Sequence, residues 1–310
     1  TGIGKSVFAI DSTVAACNAN RSVLFFSLEM SKTELYQRLL AVQSDVIIKH
    51  LNPGADRVKE EVERIDQAIS EMQEWKLEID DTPGITVENI VAKSKLKAMS
   101  QEGLDMVIID SIQTTYLPNS SSAMGSPTQI RDCTAILVKM AKESGIIVMI
   151  IGHVTKEGNI AGPRILEHMV DVVFYLEGDR NYQFRVLRTV KNRFGSTSES
   201  GLFVMGRKGL KGIDDPSKYL LKGIQEAPVS GSTVAACMEG LRPILIEVQA
   251  LTVHSVLAVP RRIASGYDFN RLVILLAVLE KKLQSNPEKR IKRTRHRRRA
   301  KKTFKKQTNG

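Results

Sequence analysis

The chain has 310 residues, 42% hydrophobic and 25% charged, enough to bury a sizeable core in one large or two modest domains without disulfide or metal staples. Its formal net charge of +11 is unevenly placed: residues 281–310 hold 14 Lys and Arg against one acid, Glu288, while the rest carries 31 basic and 33 acidic side chains. A uniformly basic, histone-like domain is excluded, and three widely spaced cysteines with no CxxC pair argue against a zinc site or a disulfide framework and fit a reducing cytosol.

In chain order, the sequence opens on Thr1-Gly2-Ile3-Gly4-Lys5-Ser6 without an initiator Met and reads as cut at its start. Ser22–Ser27 is a short apolar run, predicted as a buried strand. Ser31-Lys32-Thr33-Glu34 is a capping box opening a helix with Leu35, Leu39 and Val42 on one face. Val62, Ile65, Ile69 and Met72 predict a second amphipathic helix. Leu77–Asp80 reads as a strand, and Thr86 as the cap of a helix bearing Ile90, Val91 and Leu96. Met106–Ile109, closed by Asp110, and Ile146–Ile151 are further buried strands, separated by a polar loop at 117–128 and a helix marked by Ile130, Cys133, Leu137 and Met140.

Alternation of helices with wholly apolar strands predicts a parallel sheet covered on both faces. From 171 the pattern changes to consecutive strands at 171–176, 182–190 and 201–205, expected as antiparallel additions to one edge of that sheet. Beyond a plausible boundary at 223–232 come strands at 233–239 and 244–251 and an apolar helix at 268–283. The hexapeptide STVAAC occurs at 12–17 and again at 232–237, with context predicting helix for the first and strand for the second. No apolar run approaches the roughly 18–20 residues of a membrane span, so a cytoplasmic chain without membrane partners is expected.

Gly2-Ile3-Gly4-Lys5-Ser6 matches the end of a phosphate-binding loop, GxxxxGK[ST]. Such a loop needs glycines so that backbone N–H groups can surround phosphate oxygens; Lys5 would reach the β- and γ-phosphates of ATP and Ser6 would ligate Mg2+. The first glycine of the motif and the strand feeding the loop would lie before Thr1. Asp110, at the end of an apolar strand, fits a carboxylate holding the same metal, the alternative being a turn cap. Glu29 closes another apolar strand and could activate water, the alternative being a solvated helix entry. Lys5, Glu29, Asp110 and His153 all fall at strand carboxyl ends or just after them, where ligands bind in such sheets.

The stretches Phe25-Phe26-Ser27-Leu28-Glu29-Met30-Ser31-Lys32 and Ile79-Asp80-Asp81-Thr82-Pro83-Gly84-Ile85-Thr86 resemble the DnaB replicative helicase core. From Val107-Ile108-Ile109-Asp110-Ser111-Ile112-Gln113-Thr114 onward, Gly152-His153-Val154-Thr155-Lys156-Glu157-Gly158, Leu166-Glu167-His168-Met169-Val170-Asp171 and Lys191-Asn192-Arg193-Phe194-Gly195 resemble the bacterial RadA (Sms) family. Glu239-Gly240-Leu241-Arg242-Pro243, Glu247-Val248-Gln249-Ala250-Leu251 and Tyr267-Asp268-Phe269-Asn270-Arg271-Leu272 are similar to the start of that family's Lon-protease-like domain.

The resemblance implies an α/β fold: a RecA-like P-loop ATPase core with a mostly parallel sheet at 1–225 and a truncated Lon-like α+β segment at 226–283 without peptidase activity. Composition, rich in Lys and Arg without periodicity, reads residues 284–310 as a basic disordered tail. The resemblance also implies ATP and Mg2+ as cofactors, Gly2, Gly4, Lys5, Ser6, Asp110 and His153 around the nucleotide, and Glu29 as the catalytic base. Lys191 and Arg193 would act on a neighbour's ATP, the alternative being an exposed basic turn. Lys156 and Arg164 would contact single-stranded DNA from inward loops of a homo-oligomeric, hexameric ring, the alternative being ordinary surface loops, and a RecA recombinase is an implied partner. The expected function is an ATP-dependent DNA repair motor. A DnaB-type replicative helicase and a non-catalytic DNA-binding fragment are the alternatives. The tail resembles neither family and reads as nucleic-acid-binding, as solvated, or as replacing the lost Lon-like half.

Overall fold

The apolar runs become strands because they bury both faces. Val23–Ser27 (β1), Leu77–Asp80 (β2), Met106–Asp110 (β3) and Ile147–Ile151 (β4) pair in parallel in the order β2-β1-β3-β4. Successive side chains alternate between two cores: Leu24, Phe26, Val107 and Ile109 enter one, Val23, Phe25 and Ile108 the other. The molecule is a computed structural model describing residues 3–52, 54–118, 120, 122–152, 162–178, 184–206, 209–221, 230–251 and 263–284.

Helices cover both faces of the sheet. α1 (Lys5–Asn18) and α2 (Lys32–Ser44) bring Ala9, Ile10, Val14, Cys17, Leu35 and Leu39 to one core. The short α3 (Ile48–Leu51) and the longer α4 (Lys59–Gln73) follow on that side of the sequence. α5 (Val87–Ala98) and α6 (Pro127–Ser144) bring Val87, Ile90, Ile130, Cys133, Leu137 and Met140 to the other core. The expected caps are made: Ser31 Oγ accepts from the Glu34 N–H at 3.3 Å, and Thr86 Oγ1 from the Asn89 N–H at 3.2 Å. Each such cap contributes about 1 kcal/mol.

Several expectations are corrected. On α4 the buried residues are Ile65 and Ala68, and Met72 packs against the core that Leu35 and Leu39 enter, while Val62 and Ile69 face solvent. The helix packs on α2, and only part of the predicted stripe is buried. Leu96 is likewise 70% exposed, because α5 packs through Val87, Ile90 and Ser94. β4 is not wholly buried: Ile147 is 64% exposed, since β4 ends the described parallel sheet. The strands after 171 do not extend that sheet. Val172–Glu177 (β5), Phe184–Asn192 (β6), Ser200–Gly206 (β7) and Gly209–Gly212 (β8) form an antiparallel sheet of their own, in the order β5-β6-β7-β8. β8 had no sequence signal, because GLKG is too short to show alternation.

The remaining elements are α7 (Gly162–Met169), α8 (Pro216–Leu220), the antiparallel pair Ser232–Glu239 (β9) and Arg242–Gln249 (β10), and α9 (Phe269–Gln284). The chain divides into two compact units, Thr1–Gln249 and Ala250–Gly310, with α9 in the second.

One consequence of the packing is measurable. Asp11 sits on α1 beside Gly209 of β8, and burial pushes its carboxyl up to about 6. The folded value exceeds the unfolded 3.8, so the folded chain holds the proton more tightly. That stabilisation is complete below 3.8 and is lost as pH rises through about 6. Asp11→Asn, neutral throughout, is expected to gain about 1 kcal/mol over wild type at neutral pH, after discounting for partial solvation. Thermal unfolding across pH checks this: the gain should vanish in acid.

Candidate active site

Gly4 caps α1 with φ 111°, a left-handed conformation that a side chain resists. A Cβ there would also lie 2.4 Å from Met205 Cε of β7, with Leu176 of β5 and Leu210 of β8 just behind. The antiparallel sheet thus forms the wall of the loop. It also holds the loop's backbone: Arg185 of β6, 5% exposed, donates from Nε to the Ile3 carbonyl at 2.8 Å. Beyond Gly4, the first turn of α1 carries Lys5 and Ser6, both half-buried. With no side-chain cap on α1, its first N–H groups and the positive end of the helix dipole suit this terminus to an anion.

Three strand ends converge on it. The parallel register sets Ser27, Asp110 and Ile151 side by side. One residue past Ile151, the Gly152 carbonyl accepts a hydrogen bond from Lys5 Nζ at 2.5 Å. Asp110 is 1% exposed, and Glu29 lies two residues beyond the end of β1. Burial pulls the Lys5 ammonium below its usual range, while the negative charges of Asp110 and then Glu29 pull it back up. Both carboxylates therefore act on the charge of one cation. Glu29 Oε1 accepts a hydrogen bond from Ser111 Oγ at 2.5 Å. Ser6 and Asp110 offer hard oxygen donors of the kind magnesium prefers when phosphates complete its shell. Among the described residues no group of three or more His, Cys, Asp or Glu could hold a metal alone.

Residues 1–159 match the model of the DnaB-like helicase C terminal domain. The chain belongs to that family. The DnaB-like domain has the RecA-type ATPase fold: one solved ATPase domain superposes with a TM-score of 0.63 at 19% identity, covering 69% of this chain and 82% of that one. A DnaB-like replicative helicase, solved in a study of its interactions with primase, gives a TM-score of 0.60 at 20% identity, covering 68% of this chain and 55% of that one. Similarity to curated proteins runs further along the sequence. DNA repair protein RadA of Bacillus subtilis is 42% identical over 285 residues, 91% of this chain and 54% of that protein. RadA of Pseudomonas aeruginosa is 50% identical over 196 residues, 63% of this chain and 42% of that protein. The chain spans about half the length of the curated relatives it matches.

Of the residues singled out from the sequence, Gly4, Lys5, Ser6, Glu29 and Asp110 lie on the elements of the DnaB-like domain that meet at this end of the sheet. Gly2, His153 and Lys156 lie outside the described residues, as does the Arg164 side chain. Lys191 and Arg193 have partners of their own. Lys191 Nζ donates to the Glu167 and His168 carbonyls at the end of α7, at 2.7 and 3.3 Å. Arg193 pairs with Asp171 at 2.9 Å, and Phe194 beside it is 81% exposed. Two residues of the site escaped sequence reasoning. Ser111 follows Asp110 directly and carries a hydroxyl, a signal that could have been read. Arg185 gave none, because an arginine in an edge-like strand reads as a solvated charge.

Proposed function

We propose that the chain is the ATP-hydrolysing part of a RadA-type DNA repair motor that turns over Mg-ATP on single-stranded DNA. The observation that carries this reading is the Lys5 ammonium fixed at the end of β4, with Asp110 at the end of β3 and Glu29 just past β1 acting on it electrostatically. In this reading the α1 N–H groups and Lys5 bind the β- and γ-phosphates. Ser6 and Asp110 would hold the magnesium ion, which when bound neutralises phosphate charge. Glu29 takes a proton from water as it attacks the γ-phosphorus; the bond to the bridging oxygen breaks and ADP leaves.

The remaining assignments belong to the same proposal. His153 senses the γ-phosphate, and Lys156 and Arg164 follow the DNA backbone. Lys191 and Arg193 reach a neighbour's nucleotide in a hexameric ring. Residues 226–283 begin a Lon-like segment without peptidase activity, residues 284–310 form the basic tail, the motor is cytoplasmic, and a RecA-type recombinase is its partner. Among the described residues no helix is long and apolar enough to cross a membrane.

The test is ATP hydrolysis with and without single-stranded DNA, using Lys5→Ala and Lys191→Ala separately and mixed. Each variant alone should be nearly inactive. Mixed equally in one ring, about a quarter of interfaces regain an intact loop facing an intact Lys191, and activity should recover in proportion. Equal hydrolysis by wild type and both variants sinks the motor reading. DNA binding without hydrolysis favours a non-catalytic fragment, and processive unwinding of forked duplexes favours a DnaB-type replicative helicase.

A further inference from the structure

We infer that Ser111 is a positioning residue for Glu29: its buried hydroxyl, held by the β1–β3 register, helps to fix the Glu29 carboxylate. The inference rests on the ATPase reading above.

The geometry follows from the sheet. Ser27 and Asp110 are register partners, and the Leu28 N–H donates to the Asp110 carbonyl at 2.7 Å, so the two strands stay zipped to their last residues. Ser27 Oγ then donates to the Met30 carbonyl at 2.7 Å, turning the chain directly after β1. Residues 29 and 111 are therefore brought together by backbone pairing, before any side chain is chosen. Ser111 itself is 0% exposed, and its carbonyl accepts from Thr114 Oγ1 at 2.8 Å and from the Thr114 N–H at 3.3 Å. It is a fixed donor. Glu29, by contrast, is exposed and carries three rotatable bonds. The hydrogen bond from Ser111 Oγ to Oε1 restricts them.

The experiment is steady-state ATP hydrolysis by the full chain, with saturating single-stranded DNA, for wild type, Ser111→Ala and Ser111→Thr, beside equilibrium binding of a fluorescent non-hydrolysable ATP analogue. Ser111→Ala should lower kcat about tenfold with KM and analogue affinity unchanged. Ser111→Thr, which keeps the hydroxyl, should restore kcat. A Ser111→Ala protein with wild-type kcat overturns the inference. So does equal impairment of both variants with weakened analogue binding, which marks a packing role. A wild-type chain that hydrolyses no ATP while binding the analogue brings down the ATPase reading, and this inference with it.

Discussion

Lys5→Ala is expected to lower ATP turnover by about 10²–10³-fold, with and without single-stranded DNA. Lys5 is the cation among two carboxylates, and its ammonium is already held at the Gly152 carbonyl rather than waving in solvent. Preorganisation is what makes the charge valuable: no reorganisation is spent when the phosphates arrive. Removing it leaves Asp110 and Glu29 facing an incoming polyanion with no compensating charge from this loop. Lys5→Arg should not restore activity, because a planar, forked guanidinium cannot occupy the point position that an ammonium holds against one carbonyl. The measurement is phosphate release at saturating Mg-ATP, with nucleotide affinity followed by a fluorescent analogue. A kcat within twofold of wild type would remove Lys5 from the site.

Glu29→Gln should separate binding from chemistry. The substitution keeps the shape of the side chain, so the loop's geometry is undisturbed, although Lys5 loses one neighbouring negative charge. An amide cannot take the proton from water, and general-base catalysis is worth about 10²–10⁴-fold. The expected outcome is a protein that binds the analogue as wild type does and hydrolyses ATP about 10³-fold more slowly. Single-turnover quench measurements distinguish this from slow product release, since a loss of chemistry removes the first turnover as well. If the first turnover survives at wild-type rate, Glu29 is not the base and the carboxylate serves only the charge balance around Lys5.

Much of the α/β core was legible because its signals are local. Ser31 and Thr86 announce helices through their own side chains, and runs such as MVII, closed by Asp110, need no partner to be read as buried strands. The two copies of STVAAC show where context takes over. At 12–17 the hexapeptide lies in α1, with Thr13, Val14 and Cys17 buried against the sheet. At 232–237 it begins β9, paired residue by residue with β10. Intrinsic preference is the same in both places, so tertiary packing decides. What escaped is what depends on distant neighbours: the partial burial of the α4 stripe, the separate pairing of β5 to β8, and Arg185. The site divides the same way. Lys5 and Asp110 carry motifs, whereas the contacts of Lys191 with α7 and of Ser111 with Glu29 exist only once strands far apart in sequence are laid side by side.

Arg185 and Met205 bear on how this domain can be divided. The loop that begins α1 is the earliest described part of the chain, yet its backbone is tied by a residue 182 positions later. On the proposed reading, the nucleotide-holding unit therefore cannot end at Ile151, the last residue of the described parallel sheet. It must run on at least through Gly212, the last residue of the wall. Fragments designed from the parallel sheet alone would keep Gly4, Lys5, Ser6, Glu29 and Asp110 and lose the surface behind Gly4. Conversely, lesions in β5 to β8 that touch no nucleotide should surface first as weakened ATP binding.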